Sequence, residues 1–269
     1  MKAGAKGSMR AVEDVDAALE LQLVGIGTGN PAHLTLAAIE ALNQAALILL
    51  PRKGEDKLEL LDLRRHICAR VLDGPVRIVE FDLPQRAADG DYLAAVADWH
   101  EAIAAEWLRQ IDAYLPTGGG KVALLVWGDP SLYDSTLRIA AHVQHERPLH
   151  VSVVPGITSL QVLTAAHRIP LNDVAAPVMI TTGRRLREQG WPVGADTVAV
   201  MLDGNCAFTT LEGAGIEIWW GAYVGMAQQA LVAGPLGEVA DQIVRLRAQL
   251  RARHGWIMDI YLLRRRSRG

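Results

Sequence analysis

The sequence predicts an α/β protein of two α/β domains, the first built on a mainly parallel sheet and the second on a mixed sheet, with a cleft between them. Three observations predict it. From Leu21 onward, short β-rich apolar runs alternate with longer stretches of helical period, the pattern of a parallel sheet with crossover helices. After Pro170 the strand candidates outnumber the helix candidates, which marks a second sheet of a different kind. A length of 269 residues with 50% hydrophobic side chains is enough to bury the core of one large or two modest domains.

The opening MKAGAKGSMR is small and basic and lacks the apolar region of a signal peptide, so residues 1–20 read as a flexible arm in which Met9 is a candidate start. The first domain, residues 21–156, carries the strand candidates LQLVGIG from Leu21, LILL from Leu47, VRIVEF from Val76, KVALLVWG from Lys121 and HVSVVPG from His150. Each is followed by a turn and a helix candidate. The longest of these, residues 92–115, sets Leu93, Val96, Trp99, Ile103, Trp107 and Ile111 at spacings of three and four, which assigns its aromatics to the core. The second domain, residues 157–269, carries VMITTG, TVAVML, IEIWWGAYVG and WIMDIYLLR as strand candidates. Its long helix, 238–254, puts Val239, Ile243, Leu246 and Leu250 on one face and an Arg-rich face toward solvent. RRLREQG, from Arg184, reads as a connection after a strand, equally a functional loop or an ordinary exposed one. The closing RRRSRG reads as a solvated basic tail.

Composition removes several function classes. A net charge of −3 gives no electrostatic reason to expect a nucleic-acid partner. No apolar run approaches the roughly 20 residues of a membrane-spanning helix, so no membrane partner is expected. The two cysteines, Cys68 and Cys206, lie far apart in no metal or redox spacing, so they read as reduced thiols of a cytoplasmic protein. HVQHE places His142 and His145 three apart on a helix, but no third ligand accompanies them, and no metal is expected. No Gly-x-Ser-x-Gly elbow is present.

The stretch VGIGTGNPAHLT invites comparison with a dinucleotide fingerprint. That fingerprint needs a third glycine where the helix packs on the strand, and an acidic residue about 20 positions on for the ribose. Here Gly25, Gly27 and Gly29 are followed by Asn30 and Pro31, and the second strand ends in Pro51, Arg52 and Lys53 with no carboxylate. Arg52 opposite a 2′-phosphate leaves an NADP-dependent oxidoreductase as a rival reading. Three further strand-end turns, WGDPSLYD, VVPGITS and MLDGN, each set Gly or Pro beside a hydrogen-bonding side chain. Taken with the first, they imply one composite active-site cleft spanning both domains.

VGIGTGNPAHLT, LVWGDPSLYDS, VVPGITS with RIPL after it, TVAVMLDGN and GWIMDIYLLR occur in an order that resembles the tetrapyrrole methylases, over essentially the whole chain from Leu21. Narrower spellings, GTGNPAHLTLAAIEALNQA, PRKGEDK, WGDPSLYDSTLRI and VMLDGN, are similar to the branch of that family that methylates C-1 of the cobalamin precursor precorrin-5 with release of acetate. Methylation at another tetrapyrrole carbon, and tetrapyrrole binding without catalysis, stay open beside it.

The resemblance implies a homodimer with S-adenosylmethionine folded in the cleft between the two domains. It places the cofactor contacts on Trp127, Gly128, Asp129, Leu132, Thr158, Ser159, Met201 and Leu202, with Trp220 and Gly221 of the 219–222 stretch and Gly255 and Trp256 of 255–257 completing the site. Gly128 then admits the ligand, Asp129 offers acceptors, and Trp127 presents an apolar or cation-attracting face. The glycine-rich loop faces the macrocycle, so Gly27 and Gly29 let a flat ring approach the backbone. The carboxylates of the tetrapyrrole call for Arg52, Lys53, Lys57, Arg184 and Arg185. Methyl transfer itself needs no strong base, whereas expelling an acetyl group as acetate needs a base and an oxyanion donor. His33, Tyr133, Asp203 and Asp129 are the candidates. For His33 a capping or packing role is the alternative, and for Tyr133 a structural hydroxyl.

Overall fold

The computed structural model describes residues 18–52, 58–85, 92–116 and 119–265. The arm through residue 17, Lys53 and Lys57 lie outside the described residues. β1 (Leu19–Gly25) is buried along almost its whole length on both faces, a pattern that only the interior of a doubly covered sheet accommodates. It pairs in parallel with β4 (Gly120–Val126) on one side and β5 (His150–Val154) on the other. β2 (Leu47–Arg52) and β3 (Arg77–Asp82) complete a five-stranded parallel sheet of order β3-β2-β4-β1-β5. This is not the 3-2-1-4-5 arrangement of a dinucleotide fold, because β4 lies between β2 and β1.

The pleat sends alternate side chains of β1 to opposite cores. Leu21 and Leu23 join Ile103, Trp107 and Ile111 of α3 (Tyr92–Tyr114) and Ile139 and Val143 of α4 (Thr136–Glu146). Val24 joins Leu42 of α1 (Leu36–Gln44) and Leu61 and Ile67 of α2 (Leu58–Val71). Each buried leucine contributes about 1.5–3 kcal/mol. The strand starts at Leu19, two residues before the expected boundary, because Leu19 already packs in the α3/α4 core.

The second sheet has the order β6-β7-β10-β8-β9. β6 (Val178–Thr182) and β7 (Thr197–Met201) run parallel, while β10 (Asp259–Arg265), β8 (Ile216–Ala222) and β9 (Ala230–Pro235) are antiparallel to their neighbours, so the sheet is mixed. α5 (Ser159–His167) covers one face, and α6 (Gly183–Gln189) and α7 (Leu236–His254) cover the other.

Three features of this half differ from expectation. RRLREQG is helix α6, not a loop: the Thr182 hydroxyl accepts from Arg185 N at 3.4 Å to cap it, Gly190 ends it, and Leu186 anchors it. β9 escaped the sequence because Gly234 and Pro235 interrupt its pattern, both tolerated on an edge strand. The Arg-rich face of α7 is not all solvent, since the Arg247 side chain, one turn after Ile243, is largely covered. No helix among the described residues is long and apolar enough to cross a membrane.

Candidate functional site: a cleft between the two sheets

The ends of β1, β4 and β5 meet backbone against backbone. A Cβ on Gly25 would stand 2.6 Å from Gly156 N, and one on Gly156 would overlap the Gly128 carbonyl oxygen. Gly27 and Gly128 exchange a pair of hydrogen bonds, Gly27 N to Gly128 O at 3.2 Å and Gly128 N to Gly27 O at 2.8 Å. These glycines exist so that three strand-end loops can touch. Gly27 and Gly29, expected to open the loop to a macrocycle, are instead packed against other parts of the protein. Neither lines the cleft; Gly27 backs onto His33, and a Cβ on Gly29 would press 2.6 Å from Leu63 Cδ2 and 2.9 Å from the Trp127 ring.

Between the sheets lies a cleft of about 1010 Å³. From the first sheet it is walled by Thr28 and by the turn after β4, with Trp127, Gly128, Asp129, Leu132 and Tyr133. From the second come Met201, Leu202 and Asp203 after β7, with Gly255 and Trp256 after α7. Thr158 and Ser159 stand at the start of α5, where Thr158 and Gln161 close a reciprocal capping box. Ten of the twelve positions expected to touch a cofactor are therefore brought together. Trp220 and Gly221 are not. Trp220 is fully buried with Nε1 donating to Asp259 Oδ2 at 3.0 Å, and Gly221 packs against Val224 and Leu163. Tyr223 and Val224 take the wall instead, a slip of about three residues along the strand end.

Each turn aims its side chains by local chemistry. Gly128 has φ +66° and a Cβ there would meet nothing, so the turn leaves open space toward the cleft. Leu202, also at positive φ, is 66% exposed, an apolar side chain that the protein leaves uncovered on the cleft wall. Asp129 is spent on the loop: Oδ1 accepts from Ser131 N at 2.8 Å and Ser131 Oγ at 2.5 Å, and Oδ2 accepts from Gly156 N at 2.8 Å. Burial opposes its charge, but these bonds prevail and hold the carboxyl below the usual carboxylate range.

The catalytic candidates divide. Asp203 is 6% exposed and its carboxylate accepts from Asn205 N at 3.0 Å, Ala207 N at 2.6 Å and Tyr261 Oη at 2.6 Å, which makes it the keystone of the post-β7 turn rather than a free base. The Tyr133 hydroxyl donates to Ile180 O at 3.3 Å, bridging from the first half to β6, and burial pushes its pKa up. His33 does not line the cleft. It ends a one-turn 3₁₀ helix capped by Asn30, whose Oδ1 accepts from Ala32 N at 3.0 Å, so the cap belongs to Asn30.

Among the described residues, the expected cations do not line the cleft itself. Arg52 makes a two-pronged ion pair with Asp82, both bonds 3.0 Å, at the end of the first sheet. Arg184 pairs with Glu188 at 3.7 Å on α6. Arg185 lies close enough to act electrostatically on Tyr133, but neither it nor Arg52 or Arg184 lines the cleft. The wall instead carries Arg247 and Arg251, with Glu59, Asp62, Asp134 and Asp259, none of which the sequence singled out. Arg247 had one signal: it follows Ile243 by four residues on the apolar face of α7. Its guanidinium donates to Asp259 Oδ2 at 2.8 Å and to the Asp203 carbonyl at 3.0 Å. Carboxylates outnumber guanidinium groups on this wall, so a cationic ligand such as a sulfonium is favoured there.

The sequence matches the family model of the Tetrapyrrole (Corrin/Porphyrin) Methylases over residues 20–240. It is 49% identical over 250 residues to the precorrin-6A synthase (deacetylating) of a Sinorhizobium species, spanning 91% of this chain and 95% of that one. Among solved structures, a Corynebacterium diphtheriae protein described as related to cobalamin synthesis (CobF) superposes with a TM-score of 0.78 at 40% identity, over 93% of this chain and 99% of that one. The uroporphyrin-III C-methyltransferase of Thermus thermophilus, solved with S-adenosylhomocysteine, has a TM-score of 0.56 at 20% identity over 91% of each chain, and shares the fold.

Proposed function

The chain belongs to the tetrapyrrole (corrin/porphyrin) methylases, and from that membership we propose that it converts precorrin-5 to precorrin-6A, moving a methyl group from S-adenosylmethionine to C-1 of the macrocycle as acetate is released. The observation that carries this reading is the 49% identity to a deacetylating precorrin-6A synthase across nearly the full length of both chains.

The cleft fits the reaction. S-adenosylmethionine supplies an electrophilic methyl group on a sulfonium whose positive charge is dispersed during transfer, so positioning and water exclusion do most of the work. Gly128 gives the ligand access to the backbone, and Trp127, Leu202 and Trp256 supply apolar surface that excludes water. The surplus of carboxylates along the wall favours the cation. Arg251 on the wall, and Arg185 beside Tyr133, are the cations we assign to the macrocycle's carboxylates. The protein works as a homodimer, a reading supported by exposed apolar side chains on two of the edge strands, Val153 on β5 and Met179 and Ile180 on β6. It acts in the cytoplasm, in keeping with two unpaired cysteines.

The test is mass analysis of the tetrapyrrole product after incubation with precorrin-5 and S-adenosylmethionine. Methyl gain together with acetyl loss is the expected result. Methyl gain with the acetyl retained makes the protein a methylase of another carbon, and retention of unmodified tetrapyrrole makes it a binding protein.

A further inference from the structure

Removing an acetyl group calls for a hydroxyl or base whose hydrogen-bonding capacity is not already spent. Asp203, Asp129 and Tyr133 all have theirs engaged within the protein. Glu59 on the same wall is exposed. Thr28 differs from these in being both buried and unspent. It lies between Gly27 and Gly29 on the cleft wall, is only 4% exposed, and its Oγ1 is buried without any hydrogen-bond partner. A second buried polar atom without a partner stands beside it, Nδ1 of His33. Both face Gly225, in the turn after β8: a Cβ on Gly225 would stand 2.8 Å from Thr28 Oγ1 and 3.1 Å from His33 Nδ1. The hydroxyl and the imidazole are thus neighbours, in contact with the cleft through Thr28 alone. Leaving two such atoms unpaired is unfavourable unless a ligand group completes them.

Resting on the deacetylating reading above, we propose that Thr28 contacts the acetyl group and its attacking water as the catalytic hydroxyl of acetate release, with His33 behind it as the positioning residue that takes up the proton. Water oxygen bonds to the acetyl carbonyl carbon. Thr28 Oγ1 and His33 Nδ1 share no hydrogen bond in the structure and close on one another as the substrate binds, so that one water proton passes through the hydroxyl to the imidazole and then to solvent. The bond between the acetyl carbon and C-1 breaks, its electron pair is delocalised into the conjugated macrocycle, and acetic acid departs and loses its own proton. C-1 is left as the nucleophile that accepts the methyl group. The absence of a side chain at Gly225 keeps space for the pair.

Acetate and methylated product are measured together, at saturating S-adenosylmethionine, for the wild type and for Thr28→Val, Thr28→Ser, His33→Asn and Gly225→Ala. Thr28→Val should lower kcat for both products by about 100-fold, the scale of a lost acid–base or oxyanion group, with KM little changed. It should bind S-adenosylhomocysteine normally, and its thermal stability should be held or raised, because an unpaired buried hydroxyl is removed. Thr28→Ser should restore turnover. His33→Asn should lower kcat in the same direction, and Gly225→Ala should do so by crowding both side chains. Wild-type rates in a folded Thr28→Val would overturn the proposal, as would a loss that Thr28→Ser does not rescue. Absence of acetate from the wild type would instead overturn the underlying reading of the reaction.

Discussion

Tyr261, in the middle of the second sheet, donates a 2.6 Å hydrogen bond to Oδ2 of Asp203 at the lip of the cleft. The same oxygen accepts from Ala207 N at 2.6 Å, so the turn after β7 is clamped to β10 by one carboxylate. Burial, reinforced by that carboxylate, pushes the Tyr261 pKa far above the ordinary tyrosine range, and the phenol stays a donor. Asp203→Asn should therefore cost stability, about 1–3 kcal/mol by urea denaturation, because an amide nitrogen is turned toward backbone donors. Turnover per folded molecule should change little. A stable Asp203→Asn protein with turnover abolished would give Asp203 a direct part in the reaction.

Two glycines of one loop cluster should fail in opposite ways. Gly128→Val places its side chain in open cleft space at φ +66°, so the fold should survive at a cost of about 1–3 kcal/mol while the rise in Tm on adding S-adenosylhomocysteine disappears. Gly156→Ala drives a methyl into the Gly128 carbonyl and against Gly25, and should leave little folded protein. Differential scanning fluorimetry with and without the ligand separates the two. A normal ligand shift in Gly128→Val would place the cofactor elsewhere.

The sequence made the strand-end turns legible because their chemistry is local. Asp129 bonds to Ser131 two residues on, and Thr158 to Gln161 three on. It did not reveal what Tyr133 and Asp203 do, since their partners, Ile180 and Tyr261, lie 47 and 58 residues away. Helix α6 has only seven residues, too few to display a period, and depends on the Thr182 cap for its start. Trp220 and Gly221 lie behind the cleft wall because β8 is enclosed by β9 and β10 on either side, and such enclosure leaves no mark on the strand itself.

Arg247 and Asp259 form a buried ion pair, with side chains 11% and 6% exposed, that also receives the Trp220 indole. Removing one partner strands the other charge. Asp259→Ala should cost about 3–5 kcal/mol, and the double variant Asp259→Ala with Arg247→Met should recover part of that loss. Chemical denaturation of the four-member cycle measures it; strictly additive losses would show the two charges to be uncoupled.

His100 on α3 is buried, and its Nε2 has no partner. Burial, then the neighbouring His142 and Arg138, lower its pKa. The folded state thus keeps the ring neutral. Its contribution to stability is complete above the unfolded histidine value of about 6.5 and is lost as pH falls below that toward the depressed folded value, because only the unfolded chain takes up the proton there. His167, lowered by its own burial, adds to the same window. Urea denaturation at pH 7 and pH 5.5 should therefore show a smaller pH penalty in His100→Phe than in the wild type. Parallel losses in the two proteins would remove His100 as a source.

Among the described residues β10 is the latest strand in chain order, and yet it lies at the centre of the second sheet, between β7 and β8. Without β10 the second sheet is two separate strand pairs with no seam between them, β6 with β7 and β8 with β9. The first sheet, by contrast, is assembled from strands that all precede β6. The final strand zips the two pairs into one sheet, and the segment just ahead of it, Gly255 to Met258, closes the last wall of the cleft in the same event. One strand thus holds together both parts of the second sheet and the wall segment that precedes it, and the cleft stands or falls with that strand.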